Sequence, residues 1–198
     1  MSSAIYLVID TEATGLIPGR HGLIQVACAA LDRKFQILDN FCVDVCPPES
    51  VVVEQEALEI NGFTLERIKK GISYLQVATQ LFNFLEKNFV NEPVMIGQFY
   101  PFDYAMLVEL CRQTGEIGKQ LHQKIGNNFI DTKVLVNIIN LKCTESGKKP
   151  VFPVVSLSKP GGVKEVLKTK NYQSHDAMGD VLATREVLIK LVKMIKIT

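Results

Sequence analysis

The sequence predicts an α/β fold, a central mixed sheet flanked by helices, with residues 1–198 forming one domain. Three observations carry that prediction. Strand-like apolar runs follow one another at Ala4 to Ile9, Leu23 to Leu31 and Phe35 to Val45. The short Asp32-Arg33-Lys34 link between the last two favours a hairpin, so the three runs read as an antiparallel meander. Further on, Pro93 to Gly97 reads as a buried strand, followed by a tight turn and by helical periodicity from Tyr104 to Gly115. That order is a βα unit, whose strand is expected to run parallel to the first.

Between the strands, Ile17-Pro18-Gly19-Arg20-His21-Gly22 is dense in residues that punctuate elements and reads as a loop. His21 could reach a phosphate from it, although a solvated loop histidine is the expectation. Pro47-Pro48 ends the meander, because proline cannot donate to a strand ladder. Helical stretches are expected at Glu54 to Asn61, Thr64 to Lys70 and Tyr74 to Phe89; in the last, Leu75, Ala78, Leu81, Phe82 and Leu85 form one buried face. Phe129 to Leu141 reads as a helix with Asp131 as its N-cap rather than as a catalyst. Lys142 to Gly162 is rich in Pro, Gly and Lys, which predicts a long loop, solvated by default and otherwise in contact with a nucleic-acid backbone. The final helix is expected over His175 to about Ile195, with Ala177, Val181, Thr184, Leu188, Leu191 and Ile195 inward.

Composition narrows the classes of function. The 47% hydrophobic and 22% charged content is that of a globular chain rather than a disordered one. A net charge of +1 argues against a protein that coats duplex nucleic acid by neutralising phosphates, so any such contact is local. No apolar run approaches a membrane span, and Met-Ser-Ser runs straight into the first strand, so neither membrane insertion nor a signal peptide is expected. The five cysteines are odd in number and lack a Cys-x-x-Cys pair. Reduced, largely buried thiols in a cytoplasmic protein are therefore expected.

The chemistry concentrates in acids. Strand alternation places Asp10 and Glu12 on one face, where two like charges call for a cation or a proton between them. Asp103 is expected at the carboxyl end of the parallel strand, where open α/β sheets place their sites. Asp180 lies on the flank of the last helix's inward stripe; there an acid needs a metal or an ion-pair partner, and both remain open. His175 stands five positions before it. Oxygen ligands suit Mg²⁺ or Mn²⁺. Two such ions can stabilise both sides of an in-line phosphodiester displacement, with a neutral histidine taking the proton from the attacking water.

These motifs resemble those of the DEDDh (DnaQ-like) 3′→5′ exonucleases of the RNase H-like superfamily. The first motif is matched by Asp10-Thr11-Glu12-Ala13-Thr14-Gly15-Leu16, the second by Gly97 through Asp103, and the third by His175-Asp176-Ala177-Met178-Gly179-Asp180. Ile60-Asn61-Gly62-Phe63-Thr64 and Phe129-Ile130-Asp131-Thr132 resemble lesser landmarks, so the likeness spans nearly the whole chain. The resemblance implies an RNase H-like fold in which Asp10, Glu12, Asp103 and Asp180 hold two Mg²⁺ or Mn²⁺ ions and His175 is the general base. It also implies substrate contacts near Ala13 and Thr14, a wedge at Leu16, and single-stranded DNA or RNA 3′ ends as substrate. One departure is Gln98-Phe99, where many members have His-Asn; Phe99 and Tyr100 then either stack on a base or serve packing. A homodimer, a polymerase partner and a catalytically silent nucleic-acid-binding scaffold of the same fold stay open.

Overall fold

The computed structural model describes residues 4–126, 128–170, 172 and 175–195. Its elements run β1 (Tyr6–Ala13), β2 (Leu23–Leu31), β3 (Ile37–Cys46), α1 (Gln55–Asn61), α2 (Leu65–Lys69), β4 (Ile72–Ser73) and α3 (Tyr74–Asn88). The chain continues through β5 (Val94–Gly97), α4 (Tyr100–Gln113), α5 (Gly115–Lys124), β6 (Phe129–Asp131), α6 (Thr132–Glu145), α7 (Val163–Val166) and α8 (Ala177–Met194). One mixed sheet has the order β4-β3-β2-β1-β5-β6. β1, β2 and β3 form the antiparallel meander, whereas β1 with β5 and β5 with β6 pair in parallel.

Residue choice explains the layering. Every residue of β2 is buried, as a strand covered on both faces requires. Leu7, Ile9, Val26 and Cys28 pack on α3 and α4 through Val77, Leu81, Met106 and Leu107. Val8, Ala27 and Ala29 face the other way, onto Ala177, Val181 and Leu188 of α8. A further cluster joins α6 and α8 to Phe152, Leu157 and Val163. The sheet is thus a middle layer between α3 and α4 on one side and α8 on the other. Strand alternation puts Asp10 and Glu12 on the α8 face, one turn of the pleat beyond Val8.

Several elements differ from the sequence expectation. α4 begins at Tyr100 rather than Tyr104, because Pro101 falls in the first helical turn, where no backbone donor is needed. Asp103 consequently lies in that first turn and not at the end of a strand. The expected Phe129–Leu141 helix divides into β6 and α6, with Asp131 capping Lys133 N–H at 2.8 Å as predicted. β4 and α5 have no counterpart in the sequence reading. The Lys142 to Gly162 stretch keeps its loop character after α6 ends at Glu145. Cys28 and Cys111 are buried, but Cys42 is exposed, a departure from the expectation of largely buried thiols. No described helix is long and apolar enough to cross a membrane.

Candidate active site and metal centre

β1 runs further than its parallel neighbour. Its pairing with β5 ends at Val8, which leaves the next edge donors of β1 without a ladder partner. Asp103 meets that need: its Oδ1 accepts from Thr11 N–H at 2.9 Å and from the Thr11 hydroxyl at 2.7 Å. The first turn of α4 is thereby fastened to the strand between the two acids of the opening motif.

On the α8 face, one carboxylate oxygen each from Asp10, Glu12 and Asp180 come within 4.8 Å of one another. Asp103 lies outside that triangle, although its charge acts on both Asp10 and Glu12. Asp180 is presented from the first turn of α8, whose start is fixed twice. Asp176 caps Gly179 N–H at 3.1 Å, and the buried Gln25 side chain accepts from Ala177 N–H at 2.8 Å. His175 precedes the helix with φ of 60° and donates its backbone N–H to Asp180 Oδ2 at 3.0 Å, while its side chain is exposed.

The electrostatics follow from crowding acids in a poorly hydrated corner. Burial, then the nearby Asp103 and Glu12 charges, pushes Asp10 well above the usual carboxylate range. Glu12 is pushed up to about 8 by burial and by Asp180 and Asp103. Asp103 is pushed up to about 7 by burial, against the Thr11 hydrogen bonds that pull it down. Burial also raises Asp180, opposed by the His175 N–H and by Lys164, whose Nζ is 3.9 Å from Asp180 Oδ1. That Oδ1 is buried without a hydrogen-bond partner. An all-oxygen set, mutually repelling and with an unused acceptor, fits a hard divalent cation.

Two concavities flank the acids. One, of about 210 Å³, is lined by Glu12, Ala13, Leu16, Ile60, Asn61 and Phe102 among others. Leu16 stands at its rim, 79% exposed. The other, of about 550 Å³, runs from Asp10 and Asp180 past Gln98, Phe99, Lys133 and Ser156 to Lys159. Phe99 is half exposed in a left-handed conformation, and Lys133 Nζ sits 4.3 Å from its ring centroid. Gln98 Nε2 donates to Val155 O at 3.3 Å, tying the turn to the loop across the groove.

Not every residue singled out in the sequence faces these openings. Tyr100 is buried against Tyr104 and Phe129, so its ring packs the core and offers no face to a base. Thr14 is also buried: its hydroxyl donates to Val52 O at 2.6 Å and accepts from Gly22 N–H at 2.9 Å. Those bonds close the 15–22 loop and commit the hydroxyl's one proton to Val52. His21 is the largest departure. Its ring is buried against Gly15, where any Cβ would come within 2.6 Å of the imidazole. Nδ1 accepts from Ile17 N–H at 3.0 Å, which puts the proton on Nε2, 3.1 Å from Glu54 Oε1. The side chain therefore shapes the loop that carries Leu16. Asn61, Gln98 and Lys164 carry the site's remaining polar contacts; Asn61 donates to Ala13 O at 3.0 Å. Asn61 had a sequence signal as part of a lesser landmark and Gln98 as the departure within the second motif, whereas Lys164 had none.

A mixed sheet whose strand β1 carries Asp10 and Glu12, covered by a helix that brings Asp180 to them, defines the RNase H-like fold class. Within that class the chain belongs to the RNase T exonuclease family, whose model matches residues 7–188. No curated protein sequence matches it. Among solved structures, it is similar to E. coli exonuclease I in complex with a dA16 oligonucleotide, with TM-score 0.73, 19% identity, and 98% of this chain and 41% of that one covered. The zinc-bound form of the E. coli exonuclease I–ssDNA complex matches with TM-score 0.76 and 18% identity over 98% of this chain and 41% of that one. A 3′-exonuclease in a structure of 3′-end-specific recognition of the histone mRNA stem-loop matches with TM-score 0.69 and 13% identity, over 97% of this chain and 64% of that one. Such identities express likeness of fold, and the chain spans well under half the length of exonuclease I.

Proposed function

We propose that this nuclease is a metal-dependent 3′→5′ exonuclease that releases nucleoside 5′-monophosphates from single-stranded or frayed DNA or RNA ends. The observation that carries the reading is the meeting of Asp10, Glu12 and Asp180 carboxylate oxygens within 4.8 Å, on an Asp180 whose Oδ1 is buried with no hydrogen-bond partner. Asp10, Glu12, Asp103 and Asp180 would hold two Mg²⁺ or Mn²⁺ ions. Those ions, when bound, lower the pKa of the attacking water and neutralise charge that develops on the phosphate and leaving oxygen.

The chain's own residues do the rest. The pocket beside Ala13 and Leu16 takes the terminal nucleoside, with Leu16 set to part the last base from its neighbour. The exposed Phe99 ring offers a sequence-tolerant stacking surface to upstream bases, and Lys133 and Lys159 meet their phosphates along the second groove. His175 takes the proton of the attacking water. A few terminal nucleotides are all that these surfaces can grip, in keeping with a net charge of only +1.

The test is a single-stranded oligonucleotide labelled at its 5′ end. With Mg²⁺ or Mn²⁺ it should shorten one nucleotide at a time, EDTA should stop the reaction, and a blocked 3′ end should protect it. Internal cutting that ignores a blocked 3′ end would overturn the direction. Matched DNA and RNA strands compared by kcat/KM then measure discrimination between the two.

A further inference from the structure

Lys164 carries a cation into the edge of the acid cluster. Its side chain is only 13% exposed, and its Nζ lies 3.9 Å from Asp180 Oδ1. The position is enforced by backbone: Val163 N–H bonds Ser156 O at 2.9 Å and Lys164 N–H bonds Leu157 O at 3.2 Å, while Val163 is buried against α8.

The separation is informative. At 3.9 Å the contact is an ion pair without a hydrogen bond, and Oδ1 keeps its lone pairs. Asp180 Oδ2 already accepts from His175 N–H, which leaves Oδ1 as the oxygen for a further positive partner. A divalent cation and the Lys164 ammonium would then share one carboxylate, and each would weaken the other's hold, by the same factor in both directions.

We propose that Lys164 is a resident counter-charge that competes with divalent cations for Asp180 and so sets the free-metal concentration at which the site fills. The inference rests on the metal reading of the acid cluster. Its sign separates it from a structural role: a lysine that merely held Asp180 in place would, on removal, let the ligand drift and weaken metal capture.

The experiment titrates the full chain with Mn²⁺ alone and reads free Mn²⁺ by electron paramagnetic resonance, without substrate. Lys164→Met is expected to bind Mn²⁺ about 10-fold more tightly, the scale that solvent-screened charges a few ångströms apart leave. Lys164→Arg should stay near wild type, and Lys164→Gln, a neutral variant of different shape, should move with Lys164→Met. Unchanged or weaker capture in the neutral variants overturns the proposal. A wild-type chain and neutral variants that all take up no Mn²⁺ would overturn the metal reading itself, a failure visible before any comparison of variants.

Discussion

His175 occupies a backbone region that bulky side chains enter only at a cost of about 1–3 kcal/mol. Its N–H bond to Asp180 Oδ2 repays part of that strain and fixes the distance between the histidine's Cα and a proposed metal ligand. The imidazole itself stays exposed. If it is the general base, His175→Ala should lower kcat by about 10²–10⁴ while Mn²⁺ binding is largely kept, because the Asp180 contact is made by backbone. Rates on a 5′-labelled strand set beside an Mn²⁺ titration check this, and an undiminished kcat removes His175 from the chemistry. Asp10 and Glu12 were legible at this scale because strand alternation is a rule internal to one element. The burial of His21 and Tyr100 was not: it depends on Gly15 and Glu54 for the one, and on Tyr104 and Phe129 for the other. Lys164 gave no signal, since a lysine in a glycine-rich stretch reads as solvated until the fold supplies Asp180.

Helix ends do much of the positioning, and Asp131 serves two of them. Its carboxylate accepts from Lys133 N–H at the start of α6 and from Phe99 and Tyr100 N–H, each at 3.1 Å, at the start of α4. The same bonds hold Phe99 in its left-handed turn with the ring outward. Asp131→Ala should therefore destabilise the fold by about 2–4 kcal/mol, more than an ordinary cap, because three buried or half-buried donors lose a charged acceptor together. It should also raise KM for strands that reach Phe99 more than for a dinucleotide. Urea denaturation and steady-state kinetics on two substrate lengths measure both; a loss of stability with no length-dependent change in KM would detach Phe99 from substrate. The cap on α6 was legible from the sequence, its second duty was not, because the donors sit some 30 residues upstream. α5 escaped notice for a related reason: only Gly118 and Leu121 of its residues are buried, too few for a helical period to show.

At the scale of the whole molecule, folding brings like charges together beneath α8 and stores the cost as bound protons. Glu12 and Asp103 go from their ordinary values of 4.5 and 3.8 to about 8 and about 7, and Asp10 and Asp180 move the same way. Without metal the folded chain thus keeps protons that the unfolded chain has released once the pH passes about 4–5. Stability contributed by these groups is whole below that range and drains away as pH rises through about 7 and 8. Acids with lowered values, such as Asp39, Glu109 and Glu186, work in the opposite sense, but their effect is complete below pH 5. Between pH 5 and 8.5 the buried cluster dominates. In EDTA, Tm should fall across that window by several degrees, since each kcal/mol moves a chain of this size by roughly 2–4 °C. Excess Mg²⁺ or Mn²⁺ should raise Tm, and by more at pH 8 than at pH 5, because cations take the carboxylates that protons have left. Thermal scans in EDTA and in either cation decide it: a metal-free Tm that is flat or climbs from pH 5 to 8.5 would mean that the acids do not share their charge beneath α8.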